Sequence, residues 1–260
     1  MSASNELVFY STDNEAEVFE SCYKLRLPLL LKGPTGCGKS QFVEFMANKL
    51  NRPLIKVACN EDTNAADLLG RYIIKGGETI WKDGPVTQAA REGGILYLAE
   101  LAEAREDVVV AIHPLTDHRR ELYLDKISEV VSANPNFMFV ATYNPGYQKG
   151  IKKIKASTKQ RFVTISMTYL PAEAEATLLS ELTTLPKDKA AKIVVIANKI
   201  RNMQQYQLGD SVSTRILVRA GQLIVDGMDA RSACHVAIAE PLADDKQVIN
   251  ALKDLIDLAI

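Results

Sequence analysis

GPTGCGKS, at residues 33–40, follows the apolar run LPLLL (27–31) after the single residue Lys32 and fits the phosphate-loop pattern G-x-x-x-x-G-K-[ST]. Glycine in this pattern lets the backbone curl so that its N–H groups point at phosphate oxygens, and the following helix N-terminus adds a positive field. We expect Lys39 to reach the β- and γ-phosphates of ATP and the Ser40 hydroxyl to hold Mg²⁺. The predicted nucleotide-binding residues are Gly33, Pro34, Thr35, Gly36, Cys37, Gly38, Lys39 and Ser40, with Ser40 as the metal ligand.

The phosphate loop lies in a region where short apolar runs alternate with helical patterns. Runs of this kind are typical of parallel strands that are buried on both faces. A helix that carries Phe42, Phe45, Met46 and Leu50 connects the first two runs, as a parallel β-α-β unit requires. The predicted strands are LPLLL (27–31), LIKVA (54–58), ILYL (95–98), FMFVAT (137–142) and FVTIS (162–166).

The sequence changes character after Pro171, where apolar residues recur at helical spacing. Three such stripes begin at Ile193, Ile216 and Val248. We therefore predict an α/β nucleotide-binding domain over residues 1–168 and a small helical domain over residues 169–260.

Composition excludes several classes of protein. The 260 residues carry a formal net charge of −1, whereas a dedicated nucleic-acid-binding domain is strongly basic. No apolar run approaches the roughly 18 residues that a membrane span needs, and the polar, acidic start resembles no signal peptide. The four cysteines have neither zinc-site nor disulfide-framework spacing. We expect a cytoplasmic protein that binds neither membrane nor nucleic acid.

Glu100 follows the predicted strand ILYL, at the place where P-loop ATPases usually have Asp-Glu. There the aspartate supports Mg²⁺ and the glutamate orients the attacking water. This chain has Ala99 at the aspartate position, which leaves Mg²⁺ affinity and hydrolysis rate open. The alternative interpretation of Glu100 is a solvated glutamate at a strand end.

Asn144 ends the strand FMFVAT with a polar amide, which at that place can align the attacking water. The alternative is a turn residue before Pro145-Gly146.

A basic segment follows, and it ends at Arg161, just before the last predicted strand. Arg161 is a candidate arginine finger for a neighbouring subunit's γ-phosphate. Arg215, which opens a helix of the second domain, is a candidate for reporting the nucleotide state, with a surface ion pair as the alternative. The other cations of the segment are interpreted as a solvated face, and they are Lys149, Lys152, Lys153, Lys155 and Lys159.

In order and spacing, the phosphate loop, Glu100, Asn144, Arg161 and Arg215 resemble AAA+ ATPases over essentially the whole chain. The segments AEAREDVVVAIHPLTDHRREL (102–122) and YNPGYQKGIKKIKASTKQRFV (143–163) narrow the resemblance to the CbbQ/NorQ branch of the MoxR group. The stretch HPLTDHRRELYLDK is most similar to CbbQ-type members, the ATPase component of a Rubisco activase.

This resemblance implies a five-stranded parallel sheet of order 5-1-4-3-2, a helical lid and a hexameric ring with ATP between subunits. It implies Glu100 as the Walker B glutamate, Asn144 as sensor 1, Arg161 as arginine finger and Arg215 as sensor 2. The implied partner is a von Willebrand factor A domain protein of the CbbO type. The implied activity is ATP-driven release of inhibitory sugar phosphates from Rubisco. A NorQ-type role in nitric oxide reductase maturation is the alternative.

The MoxR group also has an insertion in its second helix and a hairpin before sensor 1. Here these correspond to about residues 60–80 and 115–135, and the alternation at 121–125 suits a hairpin strand. Trp81 is interpreted as a packing anchor, with a substrate contact as the alternative.

Three functions therefore remain distinguishable. The first is an ATP-hydrolysing remodelling motor. The second is an assembly module that binds ATP with little turnover, which Ala99 favours. The third is a DNA-directed AAA+ protein, which the net charge disfavours.

Overall fold

The computed structural model describes residues 9–11, 13–145, 154–203 and 211–260. Lys149, Lys152 and Lys153 of the basic segment lie outside the described residues. The chain forms two compact units, of which the first ends at Ser166. The second begins at Met167 and also takes in the loop Pro34–Gly38. The division into domains at 168/169 stays a prediction.

The first unit contains a five-stranded parallel sheet with all five predicted strands. Numbered along the chain, its strands are β1 (Leu29–Lys32), β2 (Leu54–Ala58), β5 (Gly94–Ala99), β8 (Phe137–Tyr143) and β9 (Val163–Ser166). Their order across the sheet is β2-β5-β8-β1-β9, which confirms the predicted arrangement. All seven residues of β8 are buried, as a central strand covered on both faces requires.

Helices of the first unit cover the sheet. The apolar residues of the helix after the phosphate loop point inward, and Phe42 and Met46 are fully buried. The helices are α1 (Glu15–Leu25), α2 (Lys39–Lys49), α3 (Ala65–Leu69), α4 (Pro85–Glu92), α5 (Glu106–Ile112) and α6 (Ala156–Lys159), with 3-10 turns at Leu101–Glu103, His113–Thr116 and Asp125–Ile127.

Two antiparallel hairpins extend the first unit. The first pairs β3 (Gly70–Lys75) with β4 (Glu78–Asp83) through a Gly76-Gly77 turn. The second pairs β6 (Glu121–Leu124) with β7 (Glu129–Ser132), which confirms the predicted hairpin strand.

Side chains join the two hairpins. The Tyr72 hydroxyl donates to the Lys126 carbonyl at 3.0 Å. Arg91 of α4 binds Asp83 at 2.8 Å and donates two hydrogen bonds to the Glu129 carboxylate at 2.6 and 2.7 Å. Both hairpins are therefore anchored to the same guanidinium.

Trp81 packs in the first hairpin. Its ring meets that of Tyr72 edge to face, with centroids 5.4 Å apart, and its Nε1 donates to Asp83 at 2.7 Å. These contacts favour the packing interpretation of this residue.

The second unit is helical, as the apolar stripes predict. Its helices are α7 (Ala172–Thr183), α8 (Lys187–Arg201), α9 (Thr214–Val225), α10 (Ala230–Cys234), α11 (Glu240–Leu242) and α12 (Lys246–Asp257), with a π-helical stretch at His235–Ala239. In the described residues of both units, no helix combines the length and apolarity that crossing a membrane requires.

A buried ion pair lies inside the second unit. The Glu175 carboxylate is fully buried and accepts two hydrogen bonds from Arg201, at 2.7 and 2.8 Å. Thr214 Oγ1 donates to the same carboxylate at 2.6 Å, and the Arg201 guanidinium stacks 3.9 Å from the Tyr169 ring centroid. Buried charges need such paired and hydrogen-bonded surroundings.

Candidate nucleotide site

The phosphate loop has the backbone conformation that its glycines predict. Gly36 and Gly38 have φ of 69° and 96°, which residues with a Cβ rarely adopt. Helix α2 begins at Lys39, so its first N–H groups follow directly on the loop. The Lys39 ammonium is buried and donates to the Gly33 carbonyl at 2.9 Å, which holds a cation at the loop.

Gly36 also lies close to Ser213 within the second unit. A Cβ on this residue would lie 2.5 Å from Ser213 Cβ and 3.7 Å from Arg215 Cβ. The structure thus brings Arg215, an exposed residue in the first turn of α9, beside Gly36, in the part of the loop that belongs to the second unit. Only a residue without a side chain fits at position 36.

A line of hydrogen bonds connects the predicted metal ligand with the predicted glutamate. Ser40 Oγ lies 2.8 Å from the Tyr97 hydroxyl, which lies 3.4 Å from Thr142 Oγ1. Thr142 Oγ1 in turn accepts from the backbone N–H of Glu100 at 3.0 Å. The line crosses from α2 through β5 to β8, because the carboxyl ends of parallel strands meet at one edge of a sheet.

Glu100 has a left-handed backbone, with φ of 57° and ψ of 46°. Such a conformation costs of order 1 kcal/mol for a residue with a side chain, and it concentrates at functional sites. The residue is exposed at the end of β5, and its charge adds to burial in raising the pKa of the Cys59 thiol to about 11. A carboxylate at a strained strand end can act as a base toward water.

Asn144 follows β8 directly. Its Oδ1 is buried and accepts no hydrogen bond from any residue that the structure describes. A buried amide oxygen needs a donor, and a water or a ligand O–H can supply one at this position.

The described contacts of Arg161 are with residues other than Ser40, Glu100 and Asn144. Its guanidinium donates to Asp117 at 3.3 Å, and Arg119 holds the same carboxylate at 2.6 Å. The hydrogen bond from Arg119 is the main reason why the pKa of Asp117 falls to about 2. His113 is nearby, and burial, then the charge of Arg161, lower its pKa.

The structure thus brings Ser40 and Glu100 into one hydrogen-bonded line and Arg215 beside the loop, whereas the described contacts of Arg161 are with Asp117. Sequence reasoning missed Tyr97, Thr142, Asp117 and Arg119. Tyr97 shares a strand face with residue 99, and strand parity was the signal that could have singled it out.

The residues present fit a Mg²⁺-nucleotide. Mg²⁺ prefers oxygen ligands and keeps several waters, so one or two protein ligands and the phosphates suffice. Ser40 offers a hydroxyl at the start of α2, and the loop offers N–H groups and the Lys39 cation. The Asn144 oxygen, which accepts no hydrogen bond from the described residues, can accept one from a water.

Comparison with known families matches nearly the whole chain. Residues 28–162 match the model of the AAA domain of the dynein-related subfamily. Residues 175–259 match the model of the CbbQ/NirQ/NorQ C-terminal region.

Curated relatives with three different names are similarly close to this chain in sequence identity. The denitrification regulatory protein NirQ of Pseudomonas aeruginosa is 51% identical, with 97% of both chains covered. Protein CbbQ of Hydrogenophilus thermoluteolus is 48% identical over 96% of this chain and 93% of that protein. Protein NorQ of Paracoccus denitrificans is 49% identical over 93% of this chain and 90% of that protein.

The fold has solved counterparts. A mutant of RuvB from Thermotoga maritima superposes with a TM-score of 0.57 at 12% identity, covering 93% of this chain and 68% of that one. At this identity the likeness concerns the fold alone.

Proposed function

The chain belongs to the CbbQ/NirQ/NorQ family of AAA+ ATPases, and from this premise we propose that it is an ATP-driven protein-remodelling motor. It works as a cytoplasmic homo-oligomeric ring, with a hexamer as the expected size. It transmits the energy of hydrolysis to a client through a partner protein.

In this proposal the loop residues bind ATP, with Lys39 at the β- and γ-phosphates and Ser40 at the metal. When bound there, the ion would supply positive charge against the charge that develops on the phosphates. Glu100 accepts a proton from the attacking water, and Asn144 orients that water through Oδ1. Arg161 stabilises charge on the nucleotide of a neighbouring subunit, and Arg215 couples the helical unit to the nucleotide state.

One observation carries the choice of a motor over a binding module with little turnover. Asn144 Oδ1 is buried and accepts no hydrogen bond from the described residues, although leaving a buried acceptor unsatisfied costs about 1–3 kcal/mol. A hydrolase can use such an oxygen to hold the attacking water, whereas a module that only bound ATP has no attacking water to hold.

For the client, we propose a CbbQ-type role, in which a von Willebrand factor A domain partner of the CbbO type recruits inhibited Rubisco. The stretch HPLTDHRRELYLDK supports this assignment. The motor then promotes release of tight-binding sugar phosphates from Rubisco.

A NirQ/NorQ-type role in the maturation of nitric oxide reductase is the second candidate. The observation that favours it is the 51% and 49% identity to a NirQ and a NorQ, beside 48% to a CbbQ.

Steady-state phosphate release tests the motor. We expect turnover by the purified chain that rises when the cognate partner is added, with Lys39→Ala as the zero. Parent activity no higher than that of Lys39→Ala at saturating Mg²⁺ and with partner present would favour the assembly module.

The client is tested by adding the chain, ATP and each partner to sugar-phosphate-inhibited Rubisco and to immature nitric oxide reductase in separate reactions. Recovery of Rubisco carboxylation supports the CbbQ-type role. Recovery of nitric oxide reduction alone would replace it with the second candidate.

A further inference from the structure

The Tyr97 hydroxyl is a hydrogen-bond partner of the predicted metal ligand in the first unit. It lies 2.8 Å from Ser40 Oγ, and the tyrosine is 3% exposed in the middle of β5. On its other side lies Thr142 Oγ1, at 3.4 Å. The phenol therefore stands between Ser40 and the strand that ends in Asn144.

The direction of these hydrogen bonds follows from the number of protons. A serine hydroxyl has one proton and two lone pairs, and an oxygen that ligates a cation has to direct its proton elsewhere. At position 99, where P-loop ATPases usually have an aspartate, this chain has an alanine. An alanine has no acceptor, so another oxygen has to receive the proton of Ser40.

Strand geometry explains why Tyr97 can take this place. Residues 97 and 99 are two apart on β5 and therefore project to the same face of the sheet. A tyrosine is long enough to bring its oxygen to Ser40 from one position earlier on that face, as the 2.8 Å distance shows. Thr142 already accepts from the N–H of Glu100 and retains a lone pair for the Tyr97 proton.

We propose that Tyr97 is a positioning residue for the metal ligand, and that it replaces the missing carboxylate as the acceptor of the Ser40 proton. The proposal rests on the proposed ATP-binding function. Tyr97 accepts a hydrogen bond from Ser40, which leaves the lone pairs of Ser40 for Mg²⁺, and it donates a hydrogen bond to Thr142. It supplies a hydrogen bond but no negative charge, so Mg²⁺ binds through fewer charged groups than with an aspartate.

Tyr97→Phe in the full chain tests the proposal, because it removes the oxygen and keeps the buried ring. The readout is the dissociation constant of a fluorescent ATP analogue, measured in EDTA and over a Mg²⁺ titration. We expect unchanged affinity in EDTA and a half-saturating Mg²⁺ concentration about fivefold higher, as befits one hydrogen bond. Tyr23→Phe is the matched control, since the Tyr23 hydroxyl is buried without a hydrogen bond among the described residues.

A second background separates positioning from a structural effect. Ala99→Asp restores the carboxylate and should itself lower the Mg²⁺ requirement. In Ala99→Asp protein the further change Tyr97→Phe should alter that requirement less than twofold, because the serine proton has another acceptor. Thr142→Val, which removes the acceptor of the Tyr97 proton, should raise the requirement in the same direction as Tyr97→Phe.

Two results would overturn the proposal. One is an equal loss of nucleotide affinity in EDTA and in Mg²⁺, and the other is an equal effect of Tyr97→Phe in both backgrounds. A thermal melt shows that each variant is folded, and Thr142→Val supplies the test if Tyr97→Phe is not. Lys39→Ala distinguishes the two failures: nucleotide affinity equal to the parent's would refute the ATP site itself rather than the role of Tyr97.

Discussion

The guanidinium of Arg161 lies 3.3 Å from the Asp117 carboxylate of the same chain, and Arg119 holds that carboxylate at 2.6 Å. The side chain proposed to act on a neighbour's nucleotide thus has a partner within its own subunit. This contact restricts where the guanidinium points, and pre-set orientation is a large part of what such an arginine contributes.

Asp117→Asn should therefore impair hydrolysis without impairing binding. We expect turnover in the assembled protein to fall about tenfold to a hundredfold, because a misplaced catalytic group loses rate on this scale. ATP affinity should stay at the parent value in a calorimetric titration. Asp125→Asn, in an exposed turn of the second hairpin, is the control. Parent-level turnover in verified assemblies would show that Asp117 does not position Arg161.

The contribution of the Asp117 carboxylate to stability should depend on pH in a defined direction. Arg119 lowers the pKa of Asp117 to about 2, from an ordinary value of 3.8. A carboxyl group with a lowered folded-state pKa stabilises the fold above its ordinary pKa, and this stability is lost as the pH falls toward the folded value. The melting temperature of the parent minus that of Asp117→Asn should be constant from pH 5 to 8 and shrink below about pH 4. A difference that grows on acidification would contradict the charged pair.

Mixed assemblies test action between subunits. Arg161→Ala should leave ATP binding to a subunit intact, since the guanidinium acts across an interface on developing charge. Glu100→Gln should bind ATP and not hydrolyse it, because the amide is not a base. Mixing the two inactive variants creates interfaces with both intact groups, and we expect phosphate release to recover in part. Absence of recovery at every ratio, with mixed rings verified by mass spectrometry, would argue against action between subunits.

Gly36→Ala should weaken ATP binding at least tenfold. The added Cβ meets Ser213 Cβ at 2.5 Å, on a backbone with φ of 69°. Gly77→Ala is the matched control, since it imposes similar backbone strain at φ of 87° with nothing within 4 Å. Equal nucleotide affinities in calorimetry for the two variants would show that the approach of Ser213 does not matter.

Glu175→Gln should lower the free energy of unfolding by about 3 kcal/mol, because it leaves the buried Arg201 charge without its counterion. Urea denaturation followed by circular dichroism measures this change. Glu173→Gln, on the exposed face of the same helix, should change stability by less than about 0.5 kcal/mol. A loss of the same small size for Glu175→Gln would mean that the ion pair contributes little.

Sequence patterns predicted the sheet and the phosphate loop because both depend on local order. LPLLL is apolar on both faces, which predicts a strand covered on both sides. GPTGCGKS combines glycines with a lysine, which predicts a loop that binds phosphate. Helical spacing likewise predicted α8, α9 and α12. The hairpin at Gly76-Gly77 also had a local signal, a two-glycine turn, although family resemblance alone had indicated an insertion there.

The partners within the site could not be predicted in this way. Ser40 and Tyr97 are 57 residues apart, and Asp117 and Arg161 are 44 apart. Such pairs form only when the sheet order brings strand ends together, and no local periodicity encodes which hydroxyl meets which. Tyr97 also counts as apolar in a strand pattern, so the prediction of β5 did not use its hydroxyl, although strand parity places it on the same face as Ala99.

Arg91 binds Asp83 of the first hairpin and Glu129 of the second, and Tyr72 reaches the Lys126 carbonyl. Because of these links, the two hairpins should be exchanged together when this protein is engineered. A chimera that takes only one hairpin from a relative can lose the contacts between the hairpins, and Arg91 then keeps only one of its two carboxylate partners. Exchange of both hairpins together with Arg91 transfers the complete set of contacts to the chimeric protein.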